Sequence, residues 1–228
     1  MGGLDVAETG GIKANQAGYS HGVGPGRGTN GTFAGGAGYG GKGGYGSGYG
    51  GGPSYGSANV PILPGSGGGD YIPGTVGQRG GSGGGVVWVD VKGQVTMNGT
   101  ISTDGQNARN ASGGGSGGSI WIACDGPFVG GLAAVMRANG ANGNNQGGGG
   151  GGGRISVWYN MPSYLRAEAL AGNLVHVTVS NQCPSFRGGL TVNKGSGWYN
   201  LPDTRGAEPG SIIFYAAAYR SGTVLVVQ

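Results

Sequence analysis

Gly147-Gly148-Gly149-Gly150-Gly151-Gly152-Gly153 runs without a break into Arg154-Ile155-Ser156-Val157-Trp158-Tyr159. Seven glycines thus feed a segment with the apolar, β-rich look of a strand. Two earlier stretches do the same. Gly83-Gly84-Gly85 leads into Val86-Val87-Trp88-Val89-Asp90-Val91, and Gly113-Gly114-Gly115-Ser116-Gly117-Gly118 leads into Ser119-Ile120-Trp121-Ile122-Ala123. Aligned on the junction, Gly85, Gly118 and Gly153 are 33 and 35 residues apart, and Gly210-Ser211-Ile212-Ile213-Phe214 is a later, diverged copy. Self-similarity at such a spacing signals a repeat architecture.

A second element follows each first strand. Gly99-Thr100-Ile101-Ser102-Thr103-Asp104-Gly105 aligns with Ala134-Val135-Met136-Arg137-Ala138-Asn139-Gly140, and Gly10-Gly11-Ile12-Lys13-Ala14-Asn15 is an earlier copy. Asp104-Gly105 and Asn139-Gly140 are expected to supply turns at positive φ. One such unit cannot bury its apolar face alone, whereas stacked units can. The expected fold is all-β: a glycine-rich, parallel β-solenoid-like repeat with little or no helix.

Sixty-two of 228 residues are glycine. Glycine loses the most backbone entropy on ordering and brings no side chain to bury. Against disorder stand a charged fraction of only 10% and short β-branched runs within the 36% of hydrophobic residues. The absence of a strict Gly-X-Y period excludes collagen. Segments in the polyproline II conformation can still pack at backbone contact distance when side chains are missing. The tracts are therefore expected as ordered extended segments that hydrogen-bond to one another; mobile surface loops are the alternative.

Residues 16–84 form a long insertion with Gly38-Tyr39-Gly40, Gly44-Tyr45-Gly46 and Gly48-Tyr49-Gly50. It is expected as further glycine packing with tyrosines in the gaps, or as a mobile adhesive tract. Tyr39, Tyr45, Tyr49 and Tyr55 are the candidate contact aromatics. The repeat region is assigned to residues 1–160 and a C-terminal β-strand module to 161–228. Within that module, 162–171 has the makings of one or two helical turns, Leu174–Val179 alternates as a strand, and Thr223–Val227 reads as a final strand.

The ordered series Tyr55-Gly56-Ser57, Pro61, Gly65-Ser66-Gly67-Gly68-Gly69, Gly83–Val89, Asn98–Ser102, Gly115–Ile122 and Gly149–Ile155 resembles the glycine-rich repeat region of very large secreted or cell-surface proteins of bacteria and single-celled eukaryotes. The likeness spans roughly residues 4–160. It implies location and architecture, and carries no catalytic residue. The glycine-to-strand junctions alone are similar to the glycine-rich ectodomains of certain receptor tyrosine kinases. The chain opens inside a repeat and shows no leader in Met1-Gly2-Gly3-Leu4-Asp5. It is expected to be a fragment of a longer surface protein, or a subunit whose open end stacks on a neighbour.

Chemistry-bearing motifs are sparse. Gly36–Gly43 approaches a phosphate loop but lacks the Ser/Thr after Lys42. His21 and His176 have no metal-ligand spacing, and His176 has no nucleophile-elbow sequence to serve. The nine acidic residues form no calcium-loop pattern. Thirteen basic residues give a net charge of +4 without a cluster, which argues against nucleic acid. No apolar run is long enough to span a bilayer. No catalytic, metal or cofactor site is expected. Asn30, Asn98 and Asn110 head N-glycosylation sequons, and Cys124 and Cys183 form either one disulfide or two buried thiols. Trp88, Trp121 and Trp158 recur near one strand position and serve packing or sugar stacking. The expected function is non-enzymatic: an extracellular structural subunit or segment of a cell-surface filament, appendage or sheath, which self-associates. The alternative is an adhesin or receptor-ectodomain module that recognises a glycan or a protein.

Overall fold

The computed structural model describes residues 2–72, 79–199 and 204–218; the expected strand at Thr223–Val227 lies outside them. Its regular secondary structure is mostly strand. Strands β1 (Leu4–Val6) and β2 (Gly11–Lys13) come first. Then follow β3 (Val86–Val91), β4 (Val95–Met97), β5 (Thr100–Ser102), β6 (Ser119–Cys124), β7 (Phe128–Gly130) and β8 (Val135–Arg137). β9 (Arg154–Tyr159), helix α1 (Ser163–Leu170), β10 (Val177–Ser180), β11 (Gly189–Thr191) and β12 (Ser211–Ala217) complete the described elements.

Three sheets form, with orders β10-β12-β9-β6-β3, β11-β8-β5-β2 and β1-β4-β7. The glycine-to-strand junctions lie in register across the first sheet: Val86 faces Ser119, Ser119 faces Arg154, and Arg154 faces Ser211. In the second sheet Gly11 faces Thr100 and Thr100 faces Val135. Parallel pairing does not hold throughout, because β10 lies antiparallel on β12. The excursion through α1 returns the chain in the opposite direction and covers that edge of the sheet. Residue 160 marks no break between sheets, since β11 pairs with β8 and β12 with β9.

The inner faces of the three sheets share one core, including Met97, Ile101, Ile120, Ile122, Phe128, Met136, Ile155 and Val157, each wholly buried. Along β6 the alternate residues Trp121 and Ala123 face a second cluster with Trp158, Met161, Leu165 and Tyr215. Both faces of β6 are therefore covered, and all six of its residues are buried.

The turns after the second-sheet strands use a device the sequence reading missed. Neither Gly105 nor Gly140 sits at positive φ. Instead the Asx side chains stack from turn to turn. Asn15 Oδ1 accepts from Asp104 N at 2.8 Å, Asp104 Oδ1 from Asn139 N at 2.9 Å, and Asn139 Oδ1 from Asn193 N at 2.8 Å.

The glycine tracts are built into the body of the molecule. Gly148 N donates to Ala34 O and Gly151 N to Ala37 O, while Gly114 N donates to Gly148 O and Gly117 N to Gly151 O. Against a further neighbour running the other way, Gly150 N donates to Ala141 O and Gly153 N to Ala138 O. Gly195 N and Trp198 N donate to Gly150 O and Gly147 O, and Gly44 N to Gly149 O. Each neighbour is met at every third residue, not at every second as in a sheet. No room is left for side chains: a Cβ on Gly36 would lie 1.9 Å from Gly149 O, and one on Gly150 2.0 Å from Gly115 O. The insertion is part of this bundle, with Gly35 to Tyr39 buried.

Gly150→Ala is expected to lower unfolding stability by about 3 kcal/mol, the upper part of the overpacking range. Gly189→Ala, where nothing lies within 4 Å of the new Cβ, is expected to be neutral or slightly stabilising. Denaturant midpoints of the two variants measure the difference; equal midpoints would show that the tract tolerates side chains.

Candidate functional site

The outer face of the first sheet carries an aromatic-floored recess. Trp88 and Trp121 are register partners on β3 and β6, and their rings stack with centroids 5.1 Å apart at 17°. Trp158, facing Ala123 on β9, meets Trp121 edge-on at 5.9 Å and 71°. Trp121 and Trp158 are packing residues, 8% and 1% exposed, whereas Trp88 at the sheet edge is 60% exposed.

This aromatic row floors a cleft of about 480 Å³, with Val60 and Ile62 on one wall and Ser163, Arg166, Ala167 and Leu170 of α1 on the other. The first wall is tied to the sheet by hydrogen bonds. Ser156 Oγ and Trp158 Nε1 donate to Asn59 O at 2.7 and 3.0 Å, and Ser119 Oγ donates to Leu63 O at 2.6 Å. The second wall is held by Leu165, buried against Trp121 and Trp158, and by Arg166. The Arg166 guanidinium bridges Asp90 on β3 and Asp125 beyond β6, at 2.5 Å each. Trp121 Nε1 is buried and has no hydrogen-bond partner among the described residues. The recess can thus offer an aromatic platform with a carboxylate and a guanidinium at its rim, and mostly apolar walls.

Arg154, at the glycine-to-strand junction of β9, joins bundle to sheet. It is 9% exposed and donates to Tyr55 O, Tyr39 O and Ser211 Oγ. Its guanidinium lies 5.5 Å from the Tyr39 ring centre. Among the described residues no carboxylate neutralises it, and burial holds its pKa below the ordinary arginine value.

The other predicted residues are scattered. Tyr39 is wholly buried, with its hydroxyl 2.5 Å from Ser119 Oγ, so it is not a surface contact aromatic. Tyr55 is half-buried and donates to Pro64 O; Tyr49 is half-buried, and only Tyr45 of the four is exposed. Asn30 and Asn110 are exposed, while Asn98 is half-buried and accepts from Gly131 N at 3.2 Å. His21 pairs with Asp70 at 3.0 Å inside the glycine region, and His176 is exposed just before β10. Cys124 and Cys183 are not joined: both are buried free thiols, donating to Gly126 O and Phe128 O. Among the described residues no group of three His, Cys, Asp or Glu could hold a metal, and no helix is long and apolar enough to cross a membrane.

No protein-family description matches the chain, and no curated protein or solved structure does.

Burial pushes the Cys124 thiol up to about 12 and the Tyr159 hydroxyl up to about 12, and it raises Tyr39, Tyr55 and Tyr215 as well. In every case the fold favours the neutral form. The stabilisation is complete below the unfolded pKa values of about 8.5 for thiols and 10 for phenols. It is lost as pH rises toward the folded values, because the unfolded chain gives up these protons first. Thermal unfolding from pH 8 to 11 is expected to show a steadily falling midpoint, with Cys124→Ala flattening the lower part of the fall. A midpoint unchanged across that range would contradict the burial of these groups.

Proposed function

We propose that this chain is a non-enzymatic extracellular structural protein, a subunit or segment of a cell-surface filament, appendage or sheath. In this reading, strands repeating at 33 and 35 residues are successive coils of a β-solenoid, and the tracts are polyproline II helices bundled against it. The observation that carries the proposal is the three-residue bonding period of Gly147–Gly153 with its neighbours, which equals the turn of that helix. A body held by buried main-chain bonds, with few charges and no side chains in its tracts, resists proteolysis and suits an exposed scaffold. Its glycine-to-strand repeat is also what the resemblance to large secreted and surface proteins rests on.

The clearest test is amide exchange along the tracts. Gly148, Gly150, Gly151 and Gly153 are expected to exchange orders of magnitude more slowly than an unstructured peptide, despite lying outside any strand. Exchange at peptide rates, in single chains and assemblies alike, would remove the physical basis of the reading. Electron microscopy of material from the native source checks the second half: ordered fibres or a continuous layer are expected.

The tryptophan-floored cleft favours a second reading, a binding module for a sugar ring. Exposed Trp88 would stack the ring's apolar face, and Asp90 with Arg166 would receive its hydroxyls. Titration with an oligosaccharide panel is expected to quench tryptophan emission, and Trp88→Ala to weaken binding at least tenfold. An unaltered affinity in that variant would place the site elsewhere.

A further inference from the structure

We infer that the recess lined by His21, Arg79, Gly80, Gln106, Asn107 and Arg109 is an oxyanion-binding site, which takes a carboxylate, sulfate or phosphate group between its two arginines. It shares no lining residue with the tryptophan cleft and rests on neither reading above.

The glycine bundle brings the parts together. Ser82 and Gln106 pair both ways: Gln106 N donates to Ser82 O at 2.8 Å, and Ser82 N donates to Gln106 Oε1 at 3.2 Å. A Cβ on Gly81 would lie 1.7 Å from Gln106 O, so the two segments meet backbone to backbone. Further along, Arg109 N donates to Arg79 O at 3.1 Å, which sets the two arginine-bearing segments side by side. With His21 they enclose about 160 Å³, room for a small anionic group rather than a ring system.

What the lining has left to offer is donors. Arg79 NH1 lies 3.2 Å from His21 Nε2. A guanidinium can only donate, so Nε2 is the acceptor and the imidazole proton sits on Nδ1. That N–H donates to Asp70 Oδ2 at 3.0 Å. The other Asp70 oxygen accepts from Gly80 N at 2.9 Å. Both oxygens of this carboxylate are thus committed to His21 and the backbone. The amides are committed in the same sense. Gln106 Oε1 is taken by Ser82 N, and Asn107 Oδ1 accepts from Asn142 N at 2.9 Å. Each amide therefore keeps its NH2 end in reserve. Among the described residues the Arg109 guanidinium has no partner, and that of Arg79 has only a neutral ring.

Two guanidiniums and two spare amide donors surround one recess whose side-chain acceptors are all in use. The complement is a group that only accepts. The planar fork of an arginine matches the paired oxygens of a carboxylate, sulfate or phosphate. Both arginines are exposed, so water screens the attraction, and a single such group is expected to bind at about millimolar strength.

Calorimetric titration of the full chain with sodium glucuronate, sulfate and phosphate, at an ionic strength held constant with sodium chloride, tests the site. A saturable one-site isotherm is expected for at least one of the three. Which anion saturates tells whether the natural group is a carboxylate, a sulfate ester or a phosphate. Arg109→Gln, which removes no hydrogen bond among the described residues, is expected to weaken binding about tenfold or more. Lys92→Gln, an equal loss of charge in the exposed turn between β3 and β4, is expected to leave it unchanged. In the unaltered chain, the Nε–H resonances of Arg79 and Arg109 are expected to shift along the same isotherm. The inference is overturned by the absence of saturation with all three anions, or by equal affinities in Arg109→Gln and Lys92→Gln. Arginine resonances that stay in place while another part of the chain responds would overturn it without recourse to any variant.

Discussion

The bond between a glycine N–H and the carbonyl of a neighbouring glycine segment is the constraint from which the rest follows. A buried main-chain donor must be paired. A tract with no strand partner can meet that demand only if other tracts approach to about 3 Å from several sides. At positions that face neighbours on every side, such as Gly36, Gly148 and Gly150, that approach is closed to a residue with a Cβ. The composition is therefore a packing requirement. It explains why the long 16–84 insertion, unusual as a structureless loop, sends stretches such as Gly35 to Tyr39 and Gly65 to Gly69 into the interior.

Bonding alone would not order these segments. Fixing a backbone costs about 1–2 kcal/mol per residue, and a net hydrogen bond returns about 1 kcal/mol. Dispersion between closely packed backbones narrows the gap, and tethering does the rest. The tracts ending at Gly85, Gly118, Gly153 and Gly210 each run into a strand held in register in the first sheet. The apolar core under that sheet sets the spacing of the tract ends, and the Asx ladder from Asn15 to Asn193 sets it where the chain leaves the second sheet. Sheet and bundle are two halves of one cooperative object, and Arg154 with Tyr39 crosses between them.

How legible this was depended on whether a residue carries side-chain information. The register Val86–Ser119–Arg154–Ser211 could be read directly, because β-branched and aromatic side chains mark phase and glycine marks the start. The short helix at Ser163–Leu170 was also readable, between Pro162 and Gly172. Which tract bonds which was not, since Gly148 and Gly151 are identical letters and their partners Ala34 and Ala37 lie over a hundred residues away. Tyr39 looks like its neighbours in a Gly-Tyr-Gly run, and only the fold buries it while leaving Tyr45 exposed. The antiparallel return of β10 and the Arg166 bridge between Asp90 and Asp125 likewise depend on how the excursion after Asn160 packs, which no local pattern encodes. Nor could the two cysteines announce their state, because two thiols in one core carry the same letters as a disulfide.

The two ends of the first sheet differ in kind, and that difference gives the molecule a direction. At one end β10 presents an edge with Thr178, Val179 and Ser180 exposed, short and turned antiparallel. At the other, β3 is six residues long, parallel in sense, and backed by an aromatic stack that stops abruptly at Trp88. The same residue bounds the cleft and the open edge. A strand laid beside β3 would cover the Trp88 ring that a sugar would otherwise stack on, so any pairing at this edge and sugar binding would oppose each other, because both draw on the same exposed indole.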